Sequence, residues 1–265
     1  MYLAFGTGCA HPSATIVPHD FENARFVIGL QPVREVIRVH RTDVLRVAID
    51  QRNLPRLDAI ERYAKDQGVA EILRVERDHL DRWARGVEHQ GVVAWAPPLA
   101  LLELETIVED PKLLAVALDQ IQDPQNFGAI IRSAVAVAGA AVIFGAHRSA
   151  PLSTATFRAS AGAIEHVRLC RVNSVRQALL DARAAGASVV GLDGQAPLEL
   201  VDLALDGPTI LVVGGEHEGL SRGVRHACSH LVRLPSSGQL DSLNASVAAG
   251  IALAIVAVQR RAPQV

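Results

Sequence analysis

The chain has 265 residues, 49% of them apolar, and its 26 basic and 28 acidic side chains leave a formal net charge of −2. This length allows one large domain or two smaller ones. There is no apolar run of the roughly 18 residues that a membrane helix needs, so no membrane contact is expected. This net charge excludes a protein that is basic as a whole, although a local basic patch can still bind nucleic acid. Three widely spaced cysteines, Cys9, Cys170 and Cys228, argue against a disulfide framework and predict a reducing, cytoplasmic location.

The first hundred residues predict a small α/β domain. Residues 1–24 show little periodicity and are predicted to form a flexible leader. Strands alternating with helices follow from residue 25, which is typical of an α/β unit. The predicted strands are Phe26–Ile28, Val44–Ile49, Ile72–Val75 and Gly91–Ala96, and the predicted helices are Leu30–His40 and Leu54–Gln67. We assign residues 25–97 to this domain. Pro97-Pro98 and the acidic stretch Glu103–Asp110 indicate a linker, which we assign to residues 98–112.

A second α/β set is predicted over residues 113–265. Its predicted strands are Leu113–Leu118, Ala141–Phe144, Ser188–Leu192, Thr209–Val213 and His230–Leu234, and its predicted helices are Phe127–Ala138, Ser174–Ala185, Ser221–Ala227 and Leu243–Arg260. Continuously apolar strands predict a mostly parallel sheet that is buried on both faces. Because ligands bind beyond the carboxyl ends of such strands, the segments that follow three of the strands are the candidate functional segments.

The first of these segments, residues 123–134, reads Asp-Pro-Gln-Asn-Phe-Gly-Ala-Ile-Ile-Arg-Ser-Ala and opens an amphipathic helix. Asn126 is predicted to cap the helix N-terminus. Arg132 falls opposite the apolar face, one turn after Gly128. Since helical side chains lean toward the N-terminus, its guanidinium would lie over a residue without a side chain, with room for an anionic ligand beside it. A solvated surface arginine explains the same pattern.

The second segment is a glycine-rich turn, Gly-Gly-Glu-His-Glu-Gly-Leu over residues 214–220. Glycines let the backbone approach a ligand closely, and Glu216 can accept a hydrogen bond from a ribose or an amine. The spacing matches neither the dinucleotide fingerprint nor the lysine-containing phosphate loop. An ordinary strand-to-helix turn is the alternative interpretation.

The third segment covers residues 234–245 and precedes a long helix rich in alanine and valine. Ser242 is predicted to cap this helix, and Asn244 then lies in its first turn. A capped core helix with a polar first turn is the structural alternative.

A metal centre is not predicted. His226, Cys228 and His230 are close in sequence, but a tight zinc site needs more ligands at other spacings. The sequence also lacks the Gly-x-Ser-x-Gly context of a serine nucleophile.

Together the three segments resemble the sequence motifs of the SpoU (TrmH-type) 2′-O-ribose RNA methyltransferases of the SPOUT superfamily. The motif residues are Asn126, Gly128 and Arg132 in the first, Gly214, Glu216, Gly219 and Leu220 in the second, and Leu234, Pro235, Gly238, Ser242, Leu243 and Asn244 in the third. Their order and spacing agree with the family over roughly residues 113–260. In the N-terminal part, residues 28–33 and 89–92 resemble the substrate-binding domain of the RlmB-like subgroup, which methylates a guanosine of 23S ribosomal RNA.

The resemblance implies a fold and an assembly that periodicity does not show. The C-terminal α/β domain of the family is threaded into a deep trefoil knot. The family also forms homodimers whose sites lie at the subunit interface. The long apolar helix 243–260 is a plausible contributor to that interface.

The resemblance further implies S-adenosylmethionine as cofactor and methyl transfer to a ribose 2′-hydroxyl. The residues expected to bind the cofactor are Gly214, Leu234 and Leu243, with Gly215, Glu216, Gly219, Pro235, Asn244 and Ala245 completing the pocket. The expected catalytic residues are Arg132, Asn126, Glu216, Ser242 and Asn244. Family proposals make the arginine a base. Because arginine stays protonated in proteins, we favour a role in which it holds a neighbouring phosphate and stabilises the developing alkoxide.

The expected substrate is RNA, most simply 23S ribosomal RNA or a large-subunit assembly intermediate. RNA binding by the near-neutral N-terminal region requires an asymmetric face, for which Arg34 and Arg38 are the candidates, with Arg41 and Arg46; Arg132 is expected to contact RNA as well. A tRNA methyltransferase of the same fold, a resistance-conferring rRNA methyltransferase and a catalytically silent RNA-binding protein are alternatives. A nicotinamide-dependent oxidoreductase is less consistent with the glycine spacing.

Overall fold

The structure is a computed structural model that describes residues 23–215, 218–237 and 242–261. Within these residues the chain forms two separate sheets, one of four strands and one of seven. The predicted leader, residues 1–24, lies outside the described residues except for Asn23 and Ala24.

The four-stranded sheet is built by the N-terminal part of the chain. Its elements are β1 (Arg25–Ile28), α1 (Leu30–His40), β2 (Arg46–Asp50), α2 (Pro55–Asp66), β3 (Ile72–Val75), α3 (Arg77–Ala84) and β4 (Val92–Ala96). Strand β4 lies between β1 and β2 and is antiparallel to both, whereas β3 is parallel to β2. The sequence pattern does not predict α3, because this short helix is strongly polar and buries only Leu80, Trp83 and Ala84.

The seven-stranded sheet confirms the predicted parallel α/β architecture. Its strands are β5 (Leu114–Asp119), β6 (Ala141–Gly145), β7 (Leu169–Val172), β8 (Ser188–Leu192), β9 (Leu198–Glu199), β10 (Thr209–Gly214) and β11 (His230–Arg233), and its helices are α4 (Leu104–Val108), α5 (Pro124–Ser133), α6 (Thr154–Ala159), α7 (Val175–Ala184), α8 (Arg222–Ala227) and α9 (Ala245–Gln259). The strand order is β7-β6-β5-β10-β8-β11-β9, and every adjacent pair is parallel. Apolar clusters cover both faces of this sheet, as the continuously apolar strands require.

The segment predicted as a linker is partly built into this second core. It contains α4, whose Ile107 is fully buried, and the Leu102 amide donates to the Leu169 carbonyl at 2.7 Å. The acids that predicted a linker, Glu103, Glu105, Glu109 and Asp110, lie mostly outside α4, which carries only Glu105 beside the buried Ile107.

The segment predicted as one helix over residues 127–138 forms the end of an α-helix and a turn of π-helix. Helix α5 begins at Pro124 and ends at Ser133, and residues 134–138 continue it as one turn of π-helix that closes at Gly139 in the left-handed region. Helix α9 packs against both parts. Such π-turns occur often beside functional sites.

Gly128 is buried where α5 crosses α6, which corrects the expectation of open space beside it. A β-carbon at this position would lie 2.7 Å from the Thr156 carbonyl oxygen and 2.8 Å from the Ser160 amide nitrogen, and it would also collide with the Ala159 β-carbon. Helix α6, which the sequence analysis did not predict, fills the space that was assigned to a ligand.

Gly128→Ala is therefore expected to destabilise the fold by about 1–3 kcal/mol, because two helix backbones must separate. The matched control is Gly250→Ala in α9, where the nearest atom, the Ser133 hydroxyl oxygen, lies at an ordinary 3.5 Å. That change should be neutral or stabilise by up to about 1 kcal/mol. Chemical denaturation of both variants measures the difference; equal stabilities would refute this account of the helix crossing.

The two sheets are joined by a buried ion cluster. The carboxylate of Glu165, 1% exposed, accepts from both terminal nitrogens of Arg25 at 2.9 and 2.8 Å and lies 2.9 Å from His40 Nε2. A second pair, His166 and Glu35, lies beside it with 2.8 Å between Nε2 and Oε2. Burial raises the pKa of Glu165, but the hydrogen bonds from His40 and Arg25 outweigh it, so the net pKa lies below the ordinary 4.5.

Glu165→Gln is expected to reduce the free energy of unfolding by roughly 3 kcal/mol at pH 7, because it leaves the Arg25 guanidinium buried without its counter-charge. A carboxyl with a lowered pKa in the folded state stabilises above its ordinary pKa, and this contribution is lost as the pH falls through the folded-state value. The difference between wild type and variant should thus shrink below pH 4.5. A difference that stays constant from pH 7 to pH 3 in urea titrations would contradict this assignment.

In the part of the chain that the structure describes, no helix combines the length and apolarity needed to cross a lipid bilayer.

Candidate active site

The candidate site lies at the carboxyl ends of β5 and β10, the two central strands of the seven-stranded sheet. Asp119 ends β5 and is the register partner of Gly214, which ends β10. The two strands that precede the first two predicted segments therefore end side by side, although the segments are far apart in the chain. This edge of a parallel sheet is where ligands bind.

The glycines of the second segment are required by a tight turn. A β-carbon on Gly214 would collide with the carbonyl group of Gly219 and the amide of Leu220, and Gly219 itself has a φ of 64°. The turn is closed by a hydrogen bond from the Gly219 amide to the Gly215 carbonyl at 2.9 Å. The glycines therefore keep the backbone close-packed, with peptide groups rather than side chains facing the site. Glu216 lies outside the described residues.

Asp119, which is not among the predicted site residues, holds this turn onto β5. Its carboxylate is 5% exposed and accepts from the Ser221 amide, which precedes α8, at 2.6 Å. An acid that ends a continuously apolar strand was the available signal, because a buried carboxylate needs a hydrogen-bonding partner.

The start of α5 corrects the predicted cap. Asp123, not Asn126, is the N-cap: its carboxylate oxygens accept from the amides of Gln125 at 3.0 Å and Asn126 at 3.3 Å. These hydrogen bonds, and chiefly the one from the Gln125 amide, lower the pKa of the Asp123 carboxyl below its ordinary value of 3.8. The helix starts earlier than predicted because Pro124 takes its first position, where no amide is needed.

Asn126 instead connects the first segment to the third. Its amide oxygen accepts from Asn244 Nδ2 at 3.0 Å, and its side chain is buried. Asn244 is itself the N-cap of α9, since its Oδ1 accepts from the amides of Ser246 and Val247 at 2.9 and 3.3 Å. The predicted cap Ser242 is exposed and lies before the helix, so that prediction was wrong by two residues. The two asparagines fix the start of α9 against α5.

The remaining residues of the third segment frame this contact. Leu234 and Ala245 are buried in the apolar cluster that also contains α9, whereas Pro235 is exposed and Leu243 is 43% exposed. Gly238 lies outside the described residues.

A cavity of about 420 Å³ lies between the first two segments. Its lining residues are Gln120, Ile121, Gln122, Asp123, Gly215, Glu218 and Gly219. Gln120 has a φ of 61°, and its carbonyl oxygen lies 3.1 Å from where a Gly215 β-carbon would be. A side chain on Gly215 would thus crowd the cavity wall. The volume of the cavity lies within the range of small-molecule pockets.

Arg132 does not line that cavity. It is exposed on α5, on a different side of the helix from the buried Asn126, and within the described residues it makes no hydrogen bond or ion pair. The described residues therefore bring together the backbone turn, the cavity and the two asparagines, whereas Arg132 lies outside this group.

Comparison with known proteins decides the family. A model of the SpoU rRNA Methylase family matches residues 113–254, and a model of the RNA 2′-O ribose methyltransferase substrate-binding domain matches residues 26–101. The chain belongs to the SpoU methylase family. The resemblance predicted from the three motifs is confirmed.

The sequence similarity of this SpoU-family protein to its relatives extends over nearly its whole length. It is 39% identical over 246 residues to an uncharacterised tRNA/rRNA methyltransferase of Mycolicibacterium gilvum, covering 91% of this chain and 78% of the relative. It is 40% identical over 240 residues to one from Mycobacterium leprae, covering 89% and 77%.

Two solved structures share the fold. The SpoU methyltransferase AviRb from Streptomyces viridochromogenes, in complex with the cofactor AdoMet, superposes with a TM-score of 0.75 at 29% identity over 90% of this chain and 91% of that one. An AdoMet-bound rRNA methyltransferase from Sinorhizobium meliloti superposes with a TM-score of 0.72 at 26% identity, covering 88% and 87%.

Apart from Arg132 on α5, the arginines predicted to bind RNA lie on the small N-terminal domain of the SpoU-family chain. Arg34 and Arg38 are both exposed on α1; the first lies over the Tyr63 ring at 6.0 Å, and the second lies 3.6 Å from Glu35. Arg46 is not available, because its Nε lies 2.8 Å from Glu71 and its guanidinium covers the Trp95 ring.

The three residues weighed as metal ligands have protein partners. His226 Nδ1 lies 2.7 Å from the Arg222 carbonyl and His230 Nδ1 lies 3.1 Å from the Ser229 hydroxyl. Burial, and secondarily Asp119, raises the pKa of the Cys228 thiol to about 11, and the thiol donates to the Val224 carbonyl. A metal binds the thiolate, which this environment disfavours.

Proposed function

We propose that this SpoU-family protein transfers a methyl group from S-adenosylmethionine to a ribose 2′-hydroxyl of RNA. The observation that carries the proposal is the convergence of the three motif segments on one edge of the sheet. The register pairing of Asp119 with Gly214 places the strand ends that lead into the first two side by side, and the hydrogen bond between Asn244 and Asn126 joins the third to the first. Related structures that contain AdoMet support the choice of cofactor.

The turn and the cavity fit this cofactor. Gly214, Gly215 and Gly219 offer peptide groups without side chains, so they can surround an adenosyl group closely. The other proposed cofactor contacts are Leu234, Leu243, Glu216, Pro235, Asn244 and Ala245. The cofactor supplies an activated methyl group, and the protein must align the accepting oxygen with it.

Arg132 has the central catalytic role in this proposal. Its protonated guanidinium binds the phosphate beside the target ribose and stabilises the 2′-oxygen as that oxygen loses its proton to solvent water, which can reach the exposed Arg132. Asn126, Glu216, Ser242 and Asn244 position the reacting groups, and the hydrogen bond between the two asparagines at 3.0 Å holds the start of α9 against α5.

A homodimer is part of the proposal, because one subunit leaves Arg132 away from the cavity. Helix α9 and the residues before it expose an apolar stripe at helical spacing, formed by Leu243, Val247, Ile251 and Val258 at 43%, 49%, 36% and 67% exposure. A second copy packing on this stripe would cover it. We likewise infer that the C-terminal α/β domain of this chain contains the trefoil knot of the family.

For the substrate we infer a guanosine of 23S ribosomal RNA or of a large-subunit assembly intermediate, and a cytoplasmic location. The RlmB-like features of the N-terminal domain favour this choice, with Arg34 and Arg38 as RNA contacts. A tRNA is the second candidate, since the Mycolicibacterium gilvum relative is named for both substrates.

The test is a methylation assay on total RNA from a strain that lacks this gene. Purified protein and labelled S-adenosylmethionine are added, and the labelled RNA is fractionated and mapped. Label on one ribose of 23S rRNA is expected. Label in tRNA would retain the chemistry and change the substrate, whereas label on a base would overturn the ribose assignment. No label, with cofactor still bound, would favour a silent RNA-binding protein.

A further inference from the structure

A short basic loop lies next to the candidate site and belongs to none of the three motifs. Residues 145–150, Gly-Ala-His-Arg-Ser-Ala, leave β6 at its carboxyl end, and β6 is the neighbour of β5. The Ala150 amide donates to the carbonyl of Ile121 at 2.7 Å, and Ile121 lines the cavity. The loop is therefore anchored to the β5–α5 connection just before the first motif segment, on the side away from the glycine turn.

The two basic side chains of this loop are exposed and unpaired. Neither His147 nor Arg148 makes a side-chain hydrogen bond or ion pair with any residue in 23–215, 218–237 or 242–261. The nearby acid Asp123 is already engaged by two backbone amides, and Glu218 lies on the β10 side of the cavity. The loop thus presents positive charge that no neighbouring carboxylate neutralises.

The backbone holds these side chains in a defined place. Gly145 is packed so closely that a β-carbon there would lie 2.9 Å from the His147 carbonyl oxygen and 3.3 Å from the Ser149 hydroxyl oxygen. Arg148 has a φ of 54°, in the left-handed region, away from any helix end. Glycine adopts this conformation more readily than arginine, so the fold does not favour the arginine that is present.

We infer that His147 and Arg148 bind a phosphodiester group of the RNA strand that carries the methylated ribose; this inference rests on the proposed function. An unpaired guanidinium is suited to phosphate oxygens, which it can bind through two parallel hydrogen bonds. The loop would then hold the strand on the β6 side of the first motif segment, while the cofactor occupies the β10 side.

Arg148→Gly tests the inference, because it removes the charge and suits the left-handed backbone. The matched control is Arg85→Gly, since Arg85 is also exposed, also left-handed with a φ of 50°, and its side chain has no partner among the described residues. Binding of a 23S rRNA transcript and of an unmodified tRNA transcript is measured at several salt concentrations, together with S-adenosylmethionine binding.

Arg148→Gly is expected to weaken binding of the substrate RNA about tenfold and to reduce the slope of log Kd against log salt by about 0.7. Cofactor affinity and thermal stability should not fall, and Arg148→Lys should recover part of the RNA affinity. Unchanged RNA binding in Arg148→Gly, an equal loss in Arg85→Gly, or a loss of cofactor affinity would each overturn the inference. Failure of the unaltered protein to bind either transcript would overturn the proposed function itself.

Discussion

Arg132→Ala should lower the rate of methyl transfer by a factor of about 10² to 10³ and leave the affinity for S-adenosylmethionine unchanged. The arginine is exposed on α5 and outside the cavity, so its loss removes no contact of the cofactor turn. The proposed contribution arises only as the 2′-oxygen becomes negative, which is why the rate falls and binding does not. Single-turnover rates at saturating RNA, with calorimetry for the cofactor, measure both quantities.

Arg82→Ala is a suitable control for this change, because Arg82 is exposed on α3 and its side chain makes no polar contact within the described residues. It should keep the wild-type rate. A severe loss of cofactor affinity in Arg132→Ala would refute the proposed role, whether the arginine acts as a base or as a stabilising cation.

Arg132→Lys separates those two roles. Lysine can lose a proton but lacks the planar fork of a guanidinium. If the residue acts as a base, the lysine variant should be active and its rate should rise with pH. If the residue stabilises charge, as we propose, the variant should remain slow at every pH.

Gly214→Ala should weaken S-adenosylmethionine binding by about 100-fold, equivalent to about 2.7 kcal/mol. The new methyl group would collide with the backbone of Gly219 and Leu220, which cannot rotate away as a side chain can. The turn must therefore open, and the peptide groups proposed to surround the cofactor move. The residues of β10 that precede Gly214 keep their packing. The free energy of unfolding should therefore fall by much less than the free energy of cofactor binding.

Gly207→Ala is the matched control, since no atom lies within 4 Å of the added carbon and the backbone is not in the left-handed region. It should bind the cofactor as the wild type does. Wild-type affinity in Gly214→Ala would mean that the cofactor does not bind against this turn.

The sequence by itself determined the architecture and the position of the candidate site. Apolar runs such as those of β5 and β10 predicted a buried parallel sheet, because a strand covered on both faces has no polar alternation. The glycine turn and the helix after residue 123 were recognisable because turns and helix starts depend on neighbours in the chain. Short or polar elements such as α3 and α6 lacked this local signal.

Only the tertiary structure decided which side chains meet. Asn126 and Asn244 are 118 residues apart and bond directly, so a residue that reads locally as a helix cap is a link between two motifs. The space beside Gly128, predicted to hold a ligand, is occupied by α6. Asp119 accepts a hydrogen bond from a turn that lies 102 residues away in the chain. Such contacts follow from strand order and helix crossing, which depend on how the whole chain packs. The periodicity of a segment therefore indicates which face it buries, but not which residues cover that face.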